Sequence, residues 1–323
     1  MSIIKSFKSG LALVFEHLKI IPIIYAVNFS LAALLAIPMY ISLHEAIGTS
    51  GVRDELMQGF DHEWWTEFNF HAEGLEKTFR PSLSGGFGAI FDNVELLLTG
   101  KFTSFGTGIF IFGVTYVFVS AFMNGGIIGL FAEEKRKFST SRFFSNAGLY
   151  FHHFFALALT AMLLFLLVYK AFSSALFGAL GSFTAEWLSD RAAWFVNLIG
   201  YVVLLLIVIF FNMIFDYAKI ILVVEKKESS WLCIWYSLKF SARHLANAGG
   251  LYLLLILVGV GLTLVFALLD SLINPSQVLV LIIAVIFQQG FIIAKIWLRL
   301  NFYGAQLSYY NQGQSEVRRL KKI

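Results

Sequence analysis

Six stretches of this chain, near 21–43, 104–131, 151–175, 195–222, 251–272 and 277–298, are each apolar for more than 20 residues, most with no charge in the middle. An α-helix rises about 1.5 Å per residue, so roughly 20 apolar residues cross the ~30 Å of hydrocarbon in a bilayer. A helix in a water-soluble core has no reason to be apolar on every side for that length. Barrel strands would alternate in polarity, and these runs do not. The expected fold is therefore all-α: a polytopic transmembrane bundle of six spans. Composition excludes the ordinary soluble classes. Hydrophobic residues make up 58% and charged ones 14%, against about 45–50% and about 25% in soluble domains.

The basic residues orient the bundle. If the segments between spans alternate sides, one side receives 17 Lys and Arg. These are Lys5, Lys8 and Lys19, then Lys135, Arg136, Lys137 and Arg142, then Lys226, Lys227, Lys239 and Arg243, and finally Lys295, Arg299, Arg318, Arg319, Lys321 and Lys322. The other side receives only Arg53, Lys77, Arg80, Lys101 and Arg191. Such a bias predicts cytoplasmic N- and C-termini in an inner membrane. Residues 1–19 are amphipathic and no small-x-small site follows the first run, so span one reads as a retained anchor. The net charge of +4 divides into a basic rim and an acidic exported loop, which argues against a nucleic-acid partner and for membrane lipids. Cys233 is the only cysteine, so neither an intramolecular disulfide nor a cysteine-based metal site can form.

Three regions follow along one membrane domain: 1–43 with span one, an acidic periplasmic insertion at 44–102, and 103–323 with spans two to six, their loops and the C-terminal tail. The insertion carries ten acids against four bases, with Trp64–Trp65 suited to a membrane face. Pro81 to Gly88 reads as a turn and Ile90 to Leu98 as a short apolar helix. Amphipathic stretches precede spans one, three and five and are expected to lie in the headgroup plane: Ile3, Phe7, Leu11 and Val14 in the first, Phe143 and Ala147 in the second, Trp231, Ile234 and Leu238 in the third. A weak internal repeat joins Asn146-Ala147-Gly148-Leu149-Tyr150 to Asn247-Ala248-Gly249-Gly250-Leu251-Tyr252. It also aligns Phe215–Leu222 with Phe291–Leu298, which pairs Asn212 with Gln288. The expected architecture is a threefold repeat of helical hairpins about an axis along the membrane normal. Residues 176–188 exceed what span three needs and are expected to form a surface helix or a re-entrant piece.

Polar residues within spans are costly and often functional. The notable set is Asn124, Asn212, Asp216, Lys219, Gln288, Gln289 and Lys295, all in the half toward the basic side of spans two, four and six. They suit a polar cavity open to the cytoplasm, and they equally suit interhelical hydrogen bonding with lysines snorkelling to the interface. Gly125 and Gly129 form a GxxxG suited to helix packing. No HExxH, GxSxG or P-loop occurs. Asp216 and Asp270 fall at opposite ends of their spans, whereas aspartates sharing a proton sit about 3 Å apart. Glu63, Glu67 and His71 share one face of a helix in the insertion and are weak candidate metal ligands. No enzyme activity and no cofactor are expected.

The run Phe122-Met123-Asn124-Gly125-Gly126-Ile127-Ile128, then Phe143-Phe144 and Gly148-Leu149-Tyr150-Phe151, resembles an uncharacterised family of bacterial six-span integral membrane proteins. So do Asp216 to Glu225 and Leu238-Lys239-Phe240-Ser241-Ala242-Arg243-His244. The resemblance covers roughly 105–255, with Lys219 standing where the family pattern has Arg. It implies a bacterial inner membrane and six spans, and it transfers no activity. The first function expected is a structural or accessory membrane component, assembling as a homo-oligomer or with a membrane-protein partner. The alternative is a transporter or lipid-handling protein that uses the polar layer of spans two, four and six.

Overall fold

The structure, a computed structural model, describes residues 2–50, 61–79, 107–133, 138–185, 189–273 and 278–320. The turn at 81–88 and the apolar helix at 90–98 expected within the insertion lie outside these residues. The described chain forms α1 (Ile3–Glu16), α2 (Ile20–Ser50), α3 (His62–His71), α4 (Thr107–Ala132), α5 (Thr140–Leu167), α6 (Ser173–Thr184), α7 (Asp190–Val224), α8 (Ser230–Arg243), α9 (Gly250–Asp270) and α10 (Val278–Leu320). Single π-helical turns, Val168–Phe172 and Leu245–Gly249, lead into α6 and α9. No strand occurs among the described residues. Among the described residues, six helical segments are long and apolar enough to cross a membrane: Ile20–Gly48, Ile111–Ala132, Thr140–Thr184, Arg191–Val224, Leu245–Asp270 and Leu279–Gly313. Their lipid-facing surface is broad, with Leu34, Leu163, Ile199, Leu257 and Ile286 among the exposed side chains. In hydrocarbon this carries no penalty, because lipid tails are as apolar as leucine.

The tight core sits at one end, where the short amphipathic helices pack. Serines with extended backbone, Ser2, Ser139 and Ser229, cap α1, α5 and α8. Ser2 and Ser229 each accept a hydrogen bond from the N–H three residues on, as an N-cap should. Four and eight residues after the cap, each helix buries the same face: Ser6 and Gly10, Phe143 and Ala147, Cys233 and Ser237. The residue at the second position is always small, which lets another helix come close. A Cβ built on Gly304 would lie 3.0 Å from the Gly10 carbonyl oxygen, and one on Gly125 would lie 3.3 Å from the Ala147 carbonyl oxygen. Ser237 Oγ donates to the Ile214 carbonyl at 2.6 Å.

α5 therefore packs on α4, α8 on α7, and α1 on α10. Each amphipathic segment leans on the even-numbered span before it, and α1 closes the ring by taking the last one. α1 runs antiparallel to its partner: Ser6 meets Gln312, Gly10 meets Ala305, and Phe15 meets Trp297. α1 and α8 pack beside the ends of α10 and α7. The segment before span three is no separate helix but the first turns of α5. α1 and α8 also end alike, at His17 and His244, whose Nδ1 atoms donate to the carbonyl four residues back at 2.9 and 3.1 Å. Lys226, in the left-handed region at φ 49°, ends α7, and the Lys227 N–H reaches back to the Leu222 carbonyl at 3.1 Å. This Schellman geometry returns the chain along α7 as α8.

Two helices outrun their expected spans. α10 runs for 43 residues, and its second half is buried from Leu300 to Tyr310. Of residues 176–188, expected as a surface or re-entrant piece, 186–188 lie outside the described residues and the rest falls in or just after α6, which continues α5 beyond the π turn and pairs with α7. Leu180 and Phe177 fill the space over Gly200, where an added Cβ would lie 2.6 Å from Leu180 Cδ1.

Candidate functional site

The ring fixes which positions on α4, α7 and α10 are equivalent. Gly125 and Gly304 face the same small position of their partner helices. One residue earlier stand Asn124 and Tyr303, and four residues before those stand Ser120 and Arg299. α7 carries Asp216 and Asn212 at the same spacing. Nine residues after Asn124, Asp216 and Tyr303 come Glu133, Glu225 and Gln312, and each is hydrogen-bonded to a neighbouring element. The three even-numbered spans thus bring two polar layers to the bundle centre, Ser120–Asn212–Arg299 and Asn124–Asp216–Tyr303.

The layers form one network. Tyr303 Oη donates to Asn124 Oδ1 at 3.0 Å, and Asn124 Nδ2 donates to Ser120 Oγ at 3.3 Å. Arg299 Nη2 donates to Tyr303 Oη at 2.7 Å and lies 3.8 Å from Asp216 Oδ1. Lys219 Nζ donates to the same carboxylate oxygen at 3.0 Å. Tyr252 of α9 donates to Asp216 Oδ2 at 3.4 Å and accepts from Asn212 Nδ2 at 2.5 Å. The asparagines and tyrosines bond helix to helix. The charges do something else: two cations meet one carboxylate, leaving one positive charge in excess. Asp216 is fully buried and Lys219 nearly so, while Arg299 keeps 46% of its side chain exposed.

That exposure opens onto cavities. One of about 770 Å³ lies between α4, α5, α7 and α10. Asn124, Asn212, Lys219 and Arg299 line its polar part, while Val117, Phe154, Leu157, Ala161 and Phe165 make apolar walls. A second, of about 450 Å³, meets it across Asn212 and Arg299 and adds Tyr252 and Ile256.

Four of the seven polar residues singled out from sequence, Asn124, Asn212, Asp216 and Lys219, converge here. Three do not. Gln289 accepts from Tyr25 of α2 at 2.8 Å, well above the network. Lys295 is exposed beside the Phe291 ring, and Gln288 sits near Gln289, away from the layers. The alignment of Asn212 with Gln288 is corrected by the packing, which pairs Asn212 with Arg299. The shift is 11 residues, about three helical turns, so both registers present the same apolar face. Ser120, Tyr252, Arg299 and Tyr303 were missed. The signal for three of them is a polar residue, a second polar residue four on, then a pair ending in a small residue: Ser120…Asn124-Gly125-Gly126, Asn212…Asp216-Tyr217-Ala218, Arg299…Tyr303-Gly304-Ala305.

Gly125 and Gly129 serve the α4–α5 contact, under Ala147 and Asn146 respectively. Glu63, Glu67 and His71 share an exposed face of α3. Among the described residues, no three His, Cys, Asp or Glu side chains converge as a metal site. Comparison with protein-family models, curated proteins and solved structures finds no match to this chain.

Proposed function

We propose that this chain is a bacterial inner-membrane protein that binds an anionic membrane lipid, its headgroup at Lys219 and Arg299 and an acyl chain in the adjoining cavity. The observation that carries the reading is the excess cation at the mouth of an apolar-walled space. Buried charges are stable when paired, and Asp216 can neutralise only one of its two partners. Arg299 presents a planar fork of donors suited to phosphate, with Lys219 beside it as a point charge. A small soluble anion would fit the charge but leave the walls of Phe154, Leu157 and Phe165 uncovered. An acyl chain satisfies both.

The accessory-component reading rests on small-residue packing, the interfacial helices and the absence of a reactive constellation, and the first of these is used up within the chain. In the structure Gly10, Gly125, Gly126 and Gly129 are covered by α10 or α5 of the same chain, so these glycines leave a partner no surface. The charge bias along the sequence places the polar layers toward the cytoplasm, with both termini on that side and 44–102 in the periplasm.

Native mass spectrometry of the purified full chain, offered phosphatidylglycerol, phosphatidylethanolamine and phosphatidylcholine in equal amounts, tests the reading. The protein should retain phosphatidylglycerol preferentially, and Arg299→Gln, which leaves Asp216 paired with Lys219, should abolish the preference while Cys233 stays protected from thiol reagents. Equal retention of all three lipids by the unaltered protein would contradict it.

A further inference from the structure

The cavity that begins at Lys219 and Arg299 also touches Lys170. Lys170 lies in the π turn Val168–Phe172, the one irregular turn between α5 and α6. π turns inside long helices recur at functional sites because the extra residue re-aims the side chains around it. Among the described residues, no carboxylate is ion-paired with Lys170. Its depth follows from α5. Tyr150 abuts Gly125, next to the polar layer. The 20 residues from Tyr150 to Lys170 put about 30 Å of helix between the two levels, close to the ~30 Å thickness of the hydrocarbon. Between them the cavity is lined by apolar residues, Leu157, Ala161, Met162 and Leu166 among them.

We infer that this cavity is a path between leaflets, with an anionic headgroup held by Lys219 and Arg299 at one end and by Lys170 at the other. The inference rests on the lipid-binding reading and extends it to an activity, the transbilayer exchange of anionic phospholipid. A cation is costly in hydrocarbon unless it reaches water or a counter-charge. Lys170 placed against the same apolar space as the other two cations gives a headgroup arriving at either interface the same chemistry. A site serving one leaflet alone needs no cation at the far end. No covalent step and no energy source are involved: the exchange runs down whatever gradient the leaflets hold.

The test uses the full chain in phosphatidylcholine vesicles carrying a small fraction of fluorescent phosphatidylglycerol, with dithionite quenching the outer leaflet. Vesicles containing the protein should lose fluorescence beyond the outer-leaflet share. Lys170→Gln should slow that second phase about tenfold, the loss of one charge-assisted contact, and Lys170→Arg should restore it. Phosphatidylglycerol should remain bound to Lys170→Gln in native mass spectrometry. Selective phosphatidylglycerol binding by the unaltered protein without any second phase, or a second phase of equal rate in Lys170→Gln, overturns the exchange inference and leaves the binding site standing. Loss of both binding selectivity and exchange in the unaltered protein overturns the binding reading as well.

Discussion

Replacing Asp216 with asparagine should destabilise the protein far more than removing the lysine that faces it. Asp216 has no exposed side-chain surface, and Lys219, 3.0 Å away, has 13%. Taking one member from a buried pair leaves the other charge uncompensated and costs about 3–5 kcal/mol. Losing Asp216 also leaves Arg299, at 3.8 Å and half exposed, as a second cation without its counter-charge. In Lys219→Met the carboxylate keeps Arg299 and the Tyr252 hydroxyl, so the cost falls to about 1–2 kcal/mol. The double variant Asp216→Asn/Lys219→Met should therefore be more stable than Asp216→Asn alone. The chain supplies its own probe, since Cys233 is its only cysteine and is buried. A thiol reagent reads the opened population when closing outpaces labelling. A loss of 3 kcal/mol raises that population roughly 100-fold. Labelling of Asp216→Asn at the rate of the unaltered protein would refute the reasoning, as would a double variant whose loss equals the sum of the two single losses.

Three other outcomes are expected. Gly10→Ala places a Cβ 2.4 Å from the Ala305 backbone nitrogen and should destabilise by about 1–3 kcal/mol; Gly148→Ala, with nothing within 4 Å, should gain about 0.5–1 kcal/mol of helix stability, both read from thermal unfolding in detergent. Burial, aided by the Glu225 charge, pushes the Cys233 thiol from its ordinary 9.0 up to about 11. The unfolded chain then releases this proton first, so stability is unaffected below pH 9 and falls as pH rises from 9 toward 11; Cys233→Ala should lose that segment of the pH–melting curve. In a Cys233→Ala background, Lys77→Cys should react with a membrane-impermeant maleimide added to spheroplasts and Lys8→Cys should not; the reverse pattern would invert the orientation.

The bilayer made much of this fold legible. Six apolar runs and their sided charges announce spans because hydrocarbon tolerates few alternatives. The buried Asp216–Lys219 pair was visible as two charges at helical spacing in an otherwise apolar run. What hydropathy could not show is where a helix ends once it leaves the membrane. Nothing stops α10 near 298, so the helix carries on, and Arg299 and Tyr303 become part of the central site instead of a tail. The repeat register was obscured by the same periodicity that revealed the repeat: a shift of 11 residues returns an α-helix to the same face, so Gln288 and Arg299 compete as partners for Asn212. Only close contacts between small residues, Gly10 on Gly304 and Ala147 on Gly125, choose between them. The helix before α7 extends beyond what bilayer thickness demands because α6 is held by packing of Leu180 and Phe177 over Gly200.

The most direct measurement is a cryo-EM map of the protein in nanodiscs containing phosphatidylglycerol. Elongated density between α4, α5 and α7, with its bulky end in hydrogen-bonding contact with Lys219 and Arg299, is the predicted result. Side chains of α4, α5 and α7 closed against one another, with Arg299 turned away from Asp216 and no density beside Lys219, would contradict it.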